Sequence, residues 1–498
     1  MSQALAQSRP AFRALNPAAV IALCGAALYA LFLLQSTRMG LAPFGYEFYD
    51  QVWLALLDGR LDLPARVLRL EGHYTPDGTA YFYHGLAPLV TRALLDPFLQ
   101  IGQVSLSPFS IWLWAVIGTT LYQMAFLRVL PQEATRLRIA LSVLVWFGGP
   151  GVLLAGNHAF YHEPIALAYA LGGGFVLIWV AAIQAGRMSA RALVGLALLA
   201  ALCVHARPNL AAALFVGVGF AALWALWQAR LRLALPVLMA ALLLGAGGYS
   251  YIALNAARFG DSGVTHGSFE KSDVRYGTVF WGMEDANSMR AQGFTEHGRF
   301  NIGRVIPNAL AYGLMPSRDV LRAAHNQARI YHYAMSHKRT GFTRIEKDVT
   351  GIVYLWAGWL VLAVSGFMAL RKASRAEQAL AATAAVSAVL IFAYATITLR
   401  YMVAIWPLVA VLSLISLPRL AERVEALSPL RAGAFAMVAL FGIVASLHTA
   451  SIYRFEFREN PTTAFKAWDA ETCTSYVMKA NLPESRLAEL CRAPRVEL

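Results

Sequence analysis

The sequence predicts an all-α polytopic membrane protein with about 11 transmembrane helices and two long outer loops carrying amphipathic helices. Three observations lead there. Across 498 residues, 58% are hydrophobic, only 14% are charged, and the mean hydropathy is +0.52, a composition unsuited to a soluble domain of this length. Charge-free or nearly charge-free runs of membrane-spanning length recur along the chain. Lys and Arg alternate between the connections that separate these runs.

The runs cover 14–37, 97–127, 139–162, 164–186, 192–206, 208–229, 233–257, 349–370, 378–399, 401–418 and 432–453. The first lacks a small-residue cleavage pattern followed by a soluble chain, so it reads as a retained helix. Arg9 and Arg13 precede the first run, and Arg128, Arg136 and Arg138 follow the second. Arg187 and Arg191, Arg230 and Arg232, Arg371, Lys372 and Arg375, then Arg419, Arg423 and Arg431 continue the alternation. The opposite short connections are poor in charge, which places the N-terminus inside and the C-terminus outside. Retention of positive loops and attraction to anionic lipid account for the net charge of +14 without a nucleic-acid partner.

This topology leaves 36–96, 258–348 and the tail from 454 outside. The expected organisation is a membrane module over 1–257 with a catalytic first outer loop at 36–96. A second large loop at 258–348, membrane helices over 349–453 and an outer tail at 454–498 complete it. All eleven histidines fall in or beside outer segments, as expected if histidine avoids hydrocarbon. Cys24 and Cys203 lie within runs and read as small core residues, whereas Cys473 and Cys491 share the tail and are candidates for a disulfide in an oxidising compartment. There is no metal-binding cysteine pattern, Walker A loop, GxSxG elbow or GxGxxG strand-helix unit.

The stretch YEFYDQVWLALLDGRLDLPARVLRLEGHYTPDG, 46–78, carries six carboxylates just beyond the first run. Asp58 flanks an apolar surface run and reads as solvated. Asp62 with Gly59, and Asp77 with Gly78, read as turns. Glu47, Asp50 and Glu71 remain as candidates for chemistry. Glu47 and Asp50 are three apart and would share a helix face. Arg207, in the tight HARPN connection, is costly beside hydrocarbon unless solvated or paired with an anion. In NHAFYHEP, His158 and His162 are four apart with Glu163 adjacent. On a helix they would share a face, as metal ligands or as the lining of a polar cavity.

The order of a short inner N-terminus, one span, an acid-rich loop, six spans, a second long loop and further spans resembles the GT-C superfamily of polyprenyl-phosphate-dependent membrane glycosyltransferases. GRLDLP at 59–64, Glu71 and DGTAYFYHGLAPLVTRALLDPF at 77–98 are similar to the first loop of an uncharacterised bacterial branch placed there. HARPN at 205–209, NAARFG at 255–260 and RYMVAIWP at 400–407 add to the resemblance. It implies an inverting transferase moving a sugar from a polyprenyl-phosphate carrier to a lipid, glycan or protein acceptor at the periplasmic face of a bacterial inner membrane. Such enzymes keep an Asp or an Asp-Glu pair shortly beyond the first span; Glu47, with Asp50, is the nearest match, although the pair itself is missing.

The chemistry sets physical demands. The lipid tail must stay in the bilayer while phosphate and sugar sit at its surface. A carboxylate base must take the acceptor proton, which points to Glu47, Asp50 or Glu71. The leaving phosphate needs a cation, from Arg207, Arg258, Arg400 or a divalent metal. His84, His158, His162, Glu163 and Tyr401 are expected to line the substrate cavity. The alternatives are a non-catalytic transporter or lipid flippase, and an assembly subunit that keeps the fold without activity. A transporter should place ionisable groups near the bilayer midplane, whereas these runs are nearly charge-free inside.

Overall fold

The computed structural model describes residues 16–38, 42–43, 45–264, 274–280, 288–423, 428–454 and 458–459. Within them, eight helices are long and apolar enough to cross a membrane: Pro17–Gln35, Ser107–Arg128, Thr135–Gly156, His162–Gln184, Pro208–Gln228, Ala234–Phe259, Arg375–Phe392 and Pro429–Tyr453. Helices Ala190–Val204, Ala357–Ala369 and Trp406–Arg423 occupy the remaining apolar runs. The chain is therefore a mostly helical, polytopic membrane protein. Hydrocarbon forces this choice, because a helix satisfies its backbone hydrogen bonds internally.

Two of the boundaries that differ from the apolar runs have a clear local cause. Helix Ser107–Arg128 starts ten residues after the run at 97 does, because Gly102 adopts φ +100° and Pro108 pre-sets the first helical turn. The run 139–162 breaks at Gly149, where an extended backbone precedes Pro150. Apolar composition reports the solvent a segment can tolerate, and Pro and Gly decide where its helix begins.

Small residues let the helices approach. A β-carbon at Gly366 would collide with the Leu412 carbonyl of the neighbouring helix, so that crossing needs glycine. Trp356, Trp359 and Trp406 are fully buried, with Trp406 edge-on to Trp356 at 5.3 Å and to Trp359 at 5.1 Å.

Successive helices reverse direction, so 45–106, 157–161, 205–207, 260–264, 274–280, 288–351 and 393–405 gather at one end of the bundle. Their contacts confirm it. Ala87 N–H donates to His205 O at 3.2 Å, and a side chain at Gly85 would strike the His205 backbone. Phe48 packs on Phe160 with centroids 4.7 Å apart.

Two small sheets tie the long loops together. Antiparallel strands run in the order Asp62–Leu63, Ala80–Tyr81, His73–Tyr74, Arg275–Tyr276, the last coming from the second long loop. Arg344–Ile345 pairs in parallel with Thr396–Ile397. In the second long loop, where an amphipathic helix is expected, helix Arg322–Thr340 buries His325, His332, Ser336 and Thr340.

Candidate functional site

Strand pairing delivers the second long loop to Glu71. His73 lies opposite Tyr276, and Gly277 N–H donates to Gly72 O at 2.8 Å. Tyr74 stacks on Phe280 at 4.3 Å. Glu71, at the end of a single 3₁₀ turn, is 8% exposed. Burial pushes its carboxyl above the usual carboxylate range, and hydrogen bonds from Tyr161 and Tyr276, with the Arg400 and Arg344 guanidiniums, pull it part of the way back.

Arg400 stands next to this carboxylate. It sits in the 3₁₀ turn Leu399–Ala404, with its guanidinium 4.6 Å from the Tyr161 ring centre. It donates two hydrogen bonds to Glu346, at 2.7 and 3.0 Å. The parallel pairing of Arg344–Ile345 with Thr396–Ile397 places Glu346 there. Arg400 is thus already paired, a fact its place in RYMVAIWP does not reveal.

Arg207 is different. It connects helices Ala190–Val204 and Pro208–Ala229, is half-buried, and lies 4.8 Å from the Tyr401 ring centre. Among the described residues no carboxylate forms a salt bridge with it. With Arg400, Tyr401, Asn209 and the apolar Ile165 and Ile391, it lines a cleft where three helices end. Arg258, at the end of helix Ala234–Phe259, is buried, donates to His84 O at 2.8 Å, and has no carboxylate partner among the described residues.

His84 marks where the cations converge. Burial first, then the Arg207, Arg258 and Arg400 guanidiniums, push its pKa well down, so it is neutral at physiological pH. Its ring packs on Tyr83 at 4.2 Å and Phe160 at 5.5 Å.

The other histidines stand apart from a metal arrangement. Helix His162–Gln184 begins at His162, so His158 precedes it and the shared helical face expected of the pair is not formed. His162 Nε2 lies 3.0 Å from the Tyr453 hydroxyl and its Nδ1 3.3 Å from Ala159 O. Both histidines are buried. Among the described residues no three His, Cys, Asp or Glu side chains come together as metal ligands.

Asp50 and Glu163 belong to a second buried cluster, built around Arg92. Arg92 Nε donates to Asp50 at 2.9 Å, its Nη1 pairs with Glu163, and its Nη2 donates to Ser107 Oγ at 2.9 Å. Asp50 also accepts from Leu106 N–H at 3.3 Å. Burial raises the Asp50 carboxyl, against the pull of Arg92. Two carboxylates thus share one guanidinium, with no further cation paired to either among the described residues. Glu163 therefore belongs to this brace. Glu47 is half-buried at the N-cap of helix Phe48–Leu57.

Asp58 and Asp77 take the plain roles expected, whereas Asp62, expected in a turn with Gly59, instead opens strand Asp62–Leu63, where pairing with Tyr81 extends its backbone. Asp58 is 69% exposed and lies 3.8 Å from Arg60. Asp62 pairs with Arg60 at 3.1 Å. Asp77 accepts from the Thr79 hydroxyl at 2.6 Å, beside Gly78 at φ +82°. Cys473 and Cys491 lie outside the described residues.

Sequence reasoning did not single out Tyr161, Tyr276, Arg92 or Glu346. Tyr161 lies inside NHAFYHEP and Tyr276 inside the aromatic stretch RYGTVFWGME, so a residue signal existed, but their partners are in other segments.

Fold and site together define a polytopic helical membrane protein with a buried carboxylate beside converging guanidiniums at the loop-bearing end of its bundle. No family model and no curated protein matches the chain. Three solved structures do. The archaeal oligosaccharyltransferase AglB from Archaeoglobus fulgidus, in complex with an inhibitory peptide and a dolichol-phosphate, shares 13% identity at TM-score 0.47 over 96% of this chain and 60% of that one. The apo oligosaccharyltransferase from the same organism shares 13% at TM-score 0.48, over 92% and 59%. ArnT from Cupriavidus metallidurans, bound to undecaprenyl phosphate, shares 14% at TM-score 0.43, over 95% and 84%. The chain spans about 60% of the length of the oligosaccharyltransferases.

Proposed function

We propose that the chain is a GT-C-type membrane glycosyltransferase that moves a sugar from a polyprenyl-phosphate carrier to a lipid, glycan or protein hydroxyl at the periplasmic face of a bacterial inner membrane. The observation that carries this reading is the placement of buried Glu71 beside Arg400, with Arg207 in the adjoining cleft. Cleft and carboxylate lie where helices end, the level at which a lipid-borne phosphate meets water.

In this reading Glu71 takes the proton of the acceptor hydroxyl as that oxygen attacks the anomeric carbon. The carbon-to-phosphate oxygen bond breaks, and its electron pair leaves on the lipid phosphate. A single displacement of this kind inverts the anomeric configuration. Arg207 and Arg258, which have no carboxylate partner among the described residues, meet the developing charge. Arg400, held by Glu346, orients the Tyr161 ring and the carboxylate rather than binding phosphate alone. The raised pKa of Glu71 makes it a stronger proton acceptor than an ordinary carboxylate.

The test is transfer of radiolabelled sugar from polyprenyl-phosphate donors in vesicles containing the purified chain. Transfer by wild type and its loss in Glu71→Gln is the expected result. A chain that neither binds nor consumes any such donor would end this reading.

A further inference from the structure

We propose that Tyr276, delivered by the second long loop, is the positioning residue that holds Glu71 as the base, an inference that rests on the transferase reading above. Glu71 and Tyr276 come from different loops and meet only because strand Arg275–Tyr276 joins the sheet beside His73–Tyr74. The backbone then locks this approach through Gly277 N–H to Gly72 O at 2.8 Å, and the stack of Tyr74 on Phe280 fixes the far side.

The groups facing Glu71 come from four segments. Tyr161 precedes the His162–Gln184 span, Tyr276 comes from the second loop, Tyr83 from the first, and Arg400 and Arg344 from the second small sheet and its flank. Among them only Tyr161 and Tyr276 donate hydrogen bonds to the carboxylate. A phenol donating to a carboxylate favours its charged form, the form a base needs. The Tyr276 ring is placed independently of that bond, 5.4 Å from the His73 ring and 5.8 Å from the Arg290 guanidinium. Tyr276→Phe therefore removes the hydroxyl while leaving ring and strand supported.

Removing this donor must raise the pH at which Glu71 loses its proton. One hydrogen bond to a charged group corresponds to a shift of about one pH unit. Infrared difference titration of the carboxyl stretch reads this directly in purified chain in nanodiscs, with Glu71→Gln identifying the band. The Glu71 band of Tyr276→Phe is expected to titrate about one unit higher than that of wild type. The acidic limb of kcat/KM should move up by the same amount, with activity recovering at high pH. An unmoved band, or an equal loss of activity at every pH, overturns the positioning role while leaving the transferase reading in place. Absence of transfer by wild type overturns the transferase reading, and the proposal with it.

Discussion

Two buried carboxylate–guanidinium clusters lie at the same end of the bundle, and they are built to opposite plans. Around Arg92, every strong donor is spent: Asp50, Glu163 and Ser107 take its guanidinium, and all are buried. Around Glu71, the carboxylate is held by two tyrosines, while Arg207 and Arg258 lack carboxylate partners among the described residues. A saturated cluster joins the first loop to the spans beneath it. An unsaturated one beside a cleft retains capacity for a substrate anion. Burial alone does not separate brace from site, since Asp50 at 2% exposure is more deeply buried than Glu71.

The largest expected effect tests the second cluster. Glu71→Gln keeps acceptors for both tyrosines and should fold, yet transfer should fall by about 10²–10⁴-fold, the usual contribution of a general base. The same assay with Asp50→Asn should show a much smaller loss of turnover per folded molecule. Equal losses in the two variants would erase the distinction.

Arg92→Ala tests the first cluster. It strands two buried carboxyls, and breaking a buried pair costs about 3–5 kcal/mol. Thermal unfolding in detergent should show that loss, whereas Arg207→Ala should stay within about 0.5 kcal/mol because it breaks no ion pair. Arg207→Ala should instead raise KM for the donor about 10–100-fold, the worth of one hydrogen bond to a charged group at about 1.5–3 kcal/mol. A labelled polyprenyl-phosphate binding curve checks it.

The pH dependence follows from the raised Glu71 carboxyl. A base works only when deprotonated, so raising its pKa moves the acidic limb of activity upward. The rate should rise with pH through a midpoint above the ordinary carboxylate value of about 4.3. For stability the sign is opposite. A buried acid that holds its proton more tightly when folded stabilises the chain at low pH, and that contribution is lost as pH climbs from the unfolded to the folded pKa.

The sequence made the membrane helices legible because hydrocarbon tolerates little besides apolar runs, while Pro108 and Gly149 moved helix boundaries within those runs. Glu71 and His84 stood out only because they lie in the stretches that carry the family resemblance, and Arg207 because a charge between two apolar runs is costly. Tyr276, Glu346 and Arg92 were not, because each owes its role to a partner in another segment. Two-residue strands that place such partners carry no periodicity to read. For the same reason Glu47, Asp50 and Glu71 looked interchangeable: the sequence shows three acids near one another, and only the fold shows what surrounds each.

Asp58 supplies the smallest expected effect and the control for the others. It lies in the same acid-rich stretch, is 69% exposed, and faces Arg60 at 3.8 Å. An exposed pair at that distance is worth about 0–1 kcal/mol, because water screens both charges and two flexible side chains must be ordered to meet. Asp58→Asn should therefore leave thermal stability within about 0.5 kcal/mol of wild type and sugar transfer unchanged at every pH. If it instead reduces transfer as Glu71→Gln does, the acids act through a shared local field. Burial beside the tyrosines would then no longer be what sets Glu71 apart.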